Sequence, residues 1–383
     1  MKKTKIIASI GPSTWEEDKI IALYKSGVNV LRFNFSHADY ENTKKVAAIV
    51  HRLNKDGTTK LGLMLDTKGP EMRTGDHTDL KNYEKGDVFK IYVDPAKVPE
   101  GTQDISCDYP YLVEDLNIGD IIKIESGLMD VLVKEKTEDA LVVEAMHGMK
   151  NMKQRRHINL PGVKLRLPGL IDQDKIDAVF AIEQGFDFIA MSFVRNKENI
   201  QELRDLLAAN NGSHIQIISK IENQEALDNL DEIIVNSDGV MVARGDLGIE
   251  VPIETLPVHQ RSIVKKCKAY GKYVIVATHM LESMIENPFP TRAEVGDIFN
   301  ALVQKTDAIM LSGETTIGKF PIQSVEMMKK IALEAEATLA YNHEDYNSVD
   351  LTQRDVEKKR LIRSAVYIAD SIGAKGIVTF TKT

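Results

Sequence analysis

Residues 215–226 read IQIISKIENQEA. Ile215, Ile217, Ile218 and Ile221 describe a fully buried strand, yet Lys220 and Glu222 stand among them near its end. Two residues apart on a strand, the two charges point to the same face. Desolvating either one alone costs about 2–7 kcal/mol or more, so something at this strand end must offset that cost.

Seven more runs of the same kind flank this one: KIIASIG (5–11), VNVLRFNFS (28–36), KLGLMLDTK (60–68), FDFIAMSFV (186–194), GVMVARGDLG (239–248), KYVIVATHM (272–280) and DAIMLSGET (307–315). Amphipathic segments such as YENTKKVAAIVHRL, NIQELRDLLAA and AEVGDIFNALVQ fill the gaps. This is the pattern of repeated βα units. Eight units predict a closed (β/α)₈ TIM barrel, with a doubly wound open sheet as the alternative.

One gap differs. Residues 70–165 carry DVFKIYV, DIIKIES, MDVLVKE and ALVVEAM, β-rich runs separated by turn residues. They predict a small β-barrel domain inserted in a βα loop, at the catalytic face, where it is placed to act as a lid. The expected division is therefore barrel (1–69), lid (70–165), barrel (166–342) and, from KKRLIRSAVYIADSIG and GIVTFT, the start of a C-terminal α/β domain (343–383).

The 383 residues are 43% apolar, ordinary for a globular chain with a sizeable core. A net charge of -8 argues against nonspecific attraction to nucleic acid or anionic membrane, while leaving room for a locally basic pocket. Cys107 and Cys267 have neither a metal-ligand spacing nor a disulfide framework, as suits a reducing compartment. The opening MKKTKIIASIGP resembles a secretory leader in its lysines only, because the apolar run ends at Gly11-Pro12. No apolar stretch approaches the roughly 18 residues of a membrane span, and the expectation is a cytoplasmic protein.

In each run the apolar part comes first and the polar residues last. Arg32, Asn34 and Ser36 close the second, Asp66, Thr67 and Lys68 the third, Lys220 and Glu222 the fifth, Arg244 and Asp246 the sixth, Thr278 the seventh, and Ser312 and Glu314 the eighth. In a barrel these ends converge on one mouth. Glu222 and Asp246 are hard oxygen donors suited to Mg²⁺, and Arg32 and Lys220 are cations for an anionic substrate. A metal with cationic clamps suggests phosphoryl transfer. Asn34, Ser36, Asp66 and Thr67 offer oxygens with a single full charge, which suits a monovalent cation or a hydrogen-bonded structural cluster. GETTIGKF (313–320) nearly spells a phosphate loop, but Phe320 stands where the metal-binding hydroxyl belongs.

Taken together, LRFNFSH (31–37), LDTKGPEMRTG (65–75), ISKIEN (218–223), MVARGDLG (241–248), ATHMLESM (277–284), PTRAEV (290–295) and MLSGET (310–315) closely resemble the pyruvate kinase family, in the family's order. The resemblance implies phosphoryl transfer from phosphoenolpyruvate to ADP, giving pyruvate and ATP, with Mg²⁺ (or Mn²⁺) and K⁺. It implies that Lys220 neutralises the migrating phosphoryl group, that Arg32 and Arg73 hold phosphate, and that Glu222 and Asp246 bind the divalent metal. Backbone N–H groups around Gly245 and Asp246 would receive the substrate carboxylate, Thr278 would sit near the methylene carbon, and Ser312 would border the substrate. Asn34, His37 and Arg73 would meet the nucleotide, and Asn34, Ser36, Asp66 and the Thr67 carbonyl would hold K⁺. Glu71 is the residue that accompanies K⁺ dependence.

Three departures from the family pattern are His279 for a usual glutamine, IESG (124–127) for a usual Asp-Asp-Gly turn, and Arg166 for a usual aspartate. The resemblance also implies a C-terminal domain of which residues 343–383 hold only the beginning. The expectations there are no activation by fructose 1,6-bisphosphate and a weakened homo-oligomer assembled through barrel surfaces. The rival readings are a metal-dependent lyase barrel acting on pyruvate or its enol, and a degraded kinase kept as a binding protein.

Overall fold

Neighbouring residues of the eight apolar runs pack into different cores, which is what a two-residue period on a closed sheet requires. Ile7, Met64, Ala190, Ile218, Met241, Ile275 and Met310 form one cluster inside the barrel. Their neighbours Ile6, Ala8, Leu63, Leu65, Ile217, Val240 and Val242 belong to a larger cluster shared with the surrounding helices. The structure, a computed structural model, describes residues 2–37, 39–77, 79–339, 353–374 and 376–378.

The barrel strands are β1 (Lys5–Ser9), β2 (Val30–Asn34) and β3 (Gly62–Asp66). After an insertion holding β4 (Met72–Arg73), β5 (Lys81–Tyr83), β6 (Val88–Tyr92), β7 (Ile105–Ser106), β8 (Ile121–Ile124), β9 (Met129–Lys136), β10 (Ala140–Ala145), β11 (Met149–Met152) and β12 (His157–Asn159), the barrel resumes. Its remaining strands are β13 (Phe188–Met191), β14 (Gln216–Ile221), β15 (Gly239–Ala243), β16 (Tyr273–Ala277) and β17 (Ala308–Leu311). All eight are parallel, in the closed order β1-β17-β16-β15-β14-β13-β3-β2. The open-sheet alternative is thereby excluded.

Several runs extend beyond their strands. The run 239–248 leaves the sheet at Ala243, and Arg244–Glu250 is a helix, so Arg244 and Asp246 stand in a helical first turn rather than on a strand. Gly313–Thr316 is likewise helical. Glu222 lies one residue past β14. A strand-end polar segment can trade its ladder for a helix start, where first-turn N–H groups remain available.

The insertion has its own core, including Tyr83, Ile91, Tyr109, Ile122, Val131 and Val143. Its main sheet runs β4-β12-β8-β9-β10-β6-β7. The two ends of that order meet: Thr74 bridges Cys107, and Gly75 N–H donates to the Ser106 carbonyl at 2.8 Å. A small barrel results, as expected from the sequence.

Both junctions with the large barrel are pinned. Gly69 N–H donates to Asp174 Oδ1 at 3.0 Å, and Ile171 N–H to Asp174 Oδ2 at 3.1 Å. The Arg195 guanidinium donates to the carbonyls of Leu167 and Pro168. Across the gap, Asn159 Nδ2 donates to Glu250 Oε1 at 3.0 Å.

Beyond the barrel, Gln353–Ser371 is a helix on which Leu361, Ile362, Tyr367 and Ile368 are exposed. The expected strand GIVTFT is not found over residues 376–378, and 379–381 lie outside the described residues. Among the described residues no helix is long and apolar enough to cross a membrane.

The lid junction yields a prediction. Gly69 has φ +72°, and a Cβ there would stand 2.7 Å from Phe193 Cδ2 and 2.9 Å from Ser192 Cβ. Gly57 also has positive φ, +81°, but faces open space. Gly57→Ala should cost about 1 kcal/mol for its backbone alone, and Gly69→Ala clearly more, about 2–3 kcal/mol. Equal shifts of the two variants in urea unfolding would show that the close approach at Gly69 carries no load.

Candidate active site

The apolar layer inside the barrel determines what lies above it. Two residues after Ile7, Met64, Ala190 and Ile218 come Ser9, Asp66, Ser192 and Lys220, and two after Val30 comes Arg32. By the same period each points inward, one layer nearer the mouth. These five stand on, or in the case of Ser192 directly after, adjacent strands and form one hydrogen-bonded arc. Arg32 donates from a terminal nitrogen to Ser9 Oγ at 2.8 Å and from Nε to Asp66 Oδ2 at 2.6 Å. Lys220 Nζ donates to Asp66 Oδ1 at 3.0 Å and to Ser192 Oγ at 2.7 Å.

Asp66 is fully buried, and the cations on both sides decide its charge. Burial alone would raise its carboxyl, but Arg32 and Lys220 outweigh it and hold it below the usual carboxylate range. The converse holds for Lys220. Burial works against its charge, while Asp66, Glu222 and Asp246 together raise it above the ordinary lysine value.

Glu222 is the member with hydrogen-bonding capacity to spare. Its Oε2 accepts from Phe193 N–H at 2.6 Å. Lys220 Nζ lies 2.9 Å from Oε1 but off hydrogen-bonding angles, leaving that buried oxygen without a hydrogen-bond partner. Burial pushes the Glu222 carboxyl above its ordinary value, with Asp246 adding to the rise and Lys220 opposing it. A buried oxygen with spare lone pairs and a second carboxylate nearby fit a divalent cation that takes one or two carboxylates and completes its shell elsewhere. Among the described residues no cluster of three or more His, Cys, Asp or Glu side chains competes as a metal site.

The group suggested for a monovalent cation is less free. Asn34 and Asp66 are partners in the β2–β3 register. Asn34 Oδ1 accepts from Ser36 N–H at 3.2 Å, and the Thr67 carbonyl accepts from Ser192 Oγ at 2.6 Å. These amide, hydroxyl, carboxylate and carbonyl oxygens suit a hard cation of low charge, although Asp66 already serves two cations of the protein.

Thr278 and Gly245 meet directly: Gly245 N–H donates to Thr278 Oγ1 at 2.8 Å. The Gly245 N–H expected to receive a carboxylate is therefore engaged, because Thr278, at φ +67°, turns its hydroxyl onto the helix start. Arg73 is not part of the arc. Its guanidinium pairs with Glu71 at 2.7 Å and meets His157 and the Arg155 carbonyl on the lid. His37 is exposed after β2. Ser312 has a buried hydroxyl without a hydrogen-bond partner. A cleft of about 300 Å³ opens between lid and barrel, lined by Glu71, Ser126, His157, Asn159, Asp246 and Glu250. Burial pushes the Glu250 carboxyl up to about 7, against the Asn159 hydrogen bond and Lys123.

The family model described as pyruvate kinase, barrel domain, matches residues 1–325. The chain belongs to the pyruvate kinase family. It is 42% identical over 380 residues to the pyruvate kinase of Geobacillus stearothermophilus, covering 97% of this chain and 61% of that protein. With that of Clostridium perfringens it shares 41% over 388 residues, 100% of this chain and 81% of the relative. A crystal structure of a pyruvate kinase from Cryptosporidium parvum superposes with a TM-score of 0.90 at 38% identity, covering 98% of this chain and 77% of that one. The chain thus spans 61–65% of the length of the first curated pyruvate kinases it matches.

The departures from the pyruvate kinase pattern each have a local setting. Glu125 and Ser126 occupy the left-handed region at φ 54° and 55°, and Glu125 pairs with Arg156 at 3.1 Å. Arg166 ties the returning chain to the lid, pairing with Glu114 and Asp115 and stacking 4.6 Å from the Tyr111 ring centroid. His279 follows Thr278 at φ +51°. Sequence reasoning passed over Ser9 and Ser192, and gave Arg244 no role. The inward period, counted back from Ile7 and Ala190, was the signal available for the two serines.

The Asp66 pairing has a measurable stability. A depressed carboxyl contributes stability above its unfolded value of about 3.9, which is lost as pH falls through the lower folded value. The raised Lys220 contributes below its unfolded value of about 10.4 and loses that share as pH rises through its folded value. Asp66→Asn strands the buried Arg32 and leaves Lys220 with Glu222 alone, and urea unfolding at neutral pH should register a loss of about 3–5 kcal/mol. The deficit should shrink in acid, where wild type also loses the carboxylate. A loss below about 1 kcal/mol, the scale of a surface pair, would mean that solvent, not Asp66, balances those charges.

Proposed function

We propose that the chain transfers the phosphoryl group of phosphoenolpyruvate to ADP, giving pyruvate and ATP in the final step of glycolysis, with dependence on a divalent metal and on K⁺. The observation that carries this reading is the buried Lys220 ammonium at the barrel mouth, held by Asp66 and Ser192 next to a Glu222 oxygen that lacks a hydrogen-bond partner. The family, and the name shared by its relatives, support the same conclusion.

On this reading Lys220 and Arg32 hold the phosphoryl group, and charge fixed in advance favours the transition state, in which that group belongs to neither partner. Lys220 stays protonated because its neighbours raise its affinity for the proton. Glu222 and Asp246 would hold Mg²⁺ or Mn²⁺, which supplies charge neutralisation when bound. Asn34, Ser36, Asp66 and the Thr67 carbonyl would hold K⁺. Gly245, Asp246, Thr278 and Ser312 border the enolpyruvate, which takes up a proton at its methylene carbon to become pyruvate, with Thr278 on the face where that proton arrives. Asn34, His37 and Arg73 meet the nucleotide. The lid, 70–165, closes over a site built by 1–69 and 166–342, and residues 343–383 begin a further domain. Arg73 reaches the nucleotide only once lid movement frees it from Glu71. A cytoplasmic location and a homo-oligomer assembled through barrel surfaces complete the reading.

A coupled assay for ATP formed from phosphoenolpyruvate and ADP, with Mg²⁺ and K⁺ present, tests the activity. Lys220→Met should lower kcat by at least about 10²–10³-fold while metal and phosphoenolpyruvate still bind. Near-normal turnover in that variant would remove Lys220 from the mechanism. Glu222→Ala or Asp246→Ala should raise the Mg²⁺ requirement sharply, and an unchanged titration would count against both.

Potassium gives a separate test. Glu71 places a negative charge against Arg73, where the resemblance puts a lysine in members that supply the positive charge internally, so activity should require K⁺. Full activity in tetramethylammonium buffer free of K⁺ would return Asn34, Ser36 and Asp66 to a structural role.

A further inference from the structure

Two consecutive non-glycine residues at the end of β16 are left-handed, Thr278 at φ +67° and His279 at +51°. For a β-branched residue this is a genuine outlier, and such positions cost about 1–3 kcal/mol each unless the surroundings enforce them. The enforcing group is Arg244. Its guanidinium donates from Nε to the carbonyls of Ala277 and Thr278, both at 3.2 Å, and from Nη2 to those of Thr278 at 2.6 Å and His279 at 3.2 Å. The remaining Nη1 is fixed from behind by Asp297 Oδ2 at 2.6 Å, on the helix Arg292–Val303, with Gln260 Oε1 at 3.5 Å.

This arrangement serves one hydroxyl. With its backbone inverted, Thr278 Oγ1 accepts from Gly245 N–H at 2.8 Å and donates to the Ala277 carbonyl at 2.7 Å. Arg244 opens the helix that carries Gly245 and Asp246, so one side chain ties the helix with the candidate metal carboxylate to the strand end with the candidate proton-side hydroxyl. A point charge could not do the same, because three successive carbonyls are met by one planar fork.

We propose that Arg244 is a positioning residue for Thr278, holding the Thr278–His279 backbone inverted so that protonation of enolpyruvate, rather than phosphoryl transfer, depends on it. The inference rests on the functional reading given above. In the forward direction the carbon–phosphate ester oxygen loses its phosphoryl group to ADP, and the resulting enolpyruvate then gains one proton at its methylene carbon. In reverse that proton leaves the methyl group of pyruvate, so the step is visible as deuterium wash-in from heavy water.

The test compares two rates in the full chain with Mg²⁺ and K⁺: single-turnover ATP formation from phosphoenolpyruvate and ADP, and deuterium wash-in to pyruvate with ATP present. Arg244→Gln should slow wash-in by about 10–100-fold, the scale of a displaced catalytic group, and leave ATP formation within a few-fold of wild type. Millimolar guanidinium should restore part of the wash-in, and Arg244→Lys should restore less than arginine. Should Arg244→Gln fail to fold, Asp297→Asn, which loosens the fork from behind, should give the same imbalance on a smaller scale. Equal losses in both rates, or a loss in neither, would overturn the proposal. If wild type itself neither forms ATP nor exchanges methyl hydrogen, the functional reading falls; if it does both and the variants leave the ratio unchanged, only the role of Arg244 falls.

Discussion

The Asp66 carboxylate is the constraint on which the mouth of the barrel depends. Among the described residues it is the one anion in direct ion-pair contact with both Arg32 and Lys220, and it offsets much of the cost of burying both charges. Because it meets both at once, it also sets their separation, and Glu222 Oε1 is left with an ion pair to Lys220 but no hydrogen-bond partner. The charges that make the site useful are therefore held by a residue whose own charge is fully spent.

The opposite half of the mouth is built differently. Where β1, β2 and β3 end in Ser9, Asn34 and Asp66, and β13 and β14 are followed at once by Ser192 and Glu222, β15 and β16 end in Ala243 and Ala277. Small residues leave space there, and backbone takes over from side chains: the helix start at Arg244, the inverted residues 278–279, and the carboxylate of Glu314, which accepts from the N–H groups of Leu281 and Ser312. One half of the rim carries fixed charge and the other carries shape.

Much of this was legible in the residues. The eight apolar runs, their polar ends and the β-rich interruption follow from period and turn chemistry, and Lys220 beside Glu222 announced a buried site. Asp66 was legible as an oxygen donor, but its pairing with Arg32 and Lys220 depends on which strands are neighbours, and β3 meets β13 across an insertion of some hundred residues. The run 239–248 reads as one strand because Gly245 and Leu247 continue an apolar pattern, and local pattern does not register where a ladder runs out of partners. The engagement of Gly245 by Thr278, and of Arg73 by Glu71, are tertiary facts with no local signature.

The closure of the barrel has a consequence for how the chain is made. Lys5 pairs with Ala308 and Ile7 with Met310, so the earliest of the barrel's strands to be made is among the last to gain its second neighbour. The lid, by contrast, completes its own core by Leu160 and closes its own edges through Thr74 and Cys107. Synthesis therefore delivers a small finished barrel suspended from an unfinished large one, whose β1 edge stays open until some three hundred residues have followed it. Sequence-distant closure of this kind slows folding, and an open parallel edge is where a nascent chain is most exposed to pairing with the wrong partner.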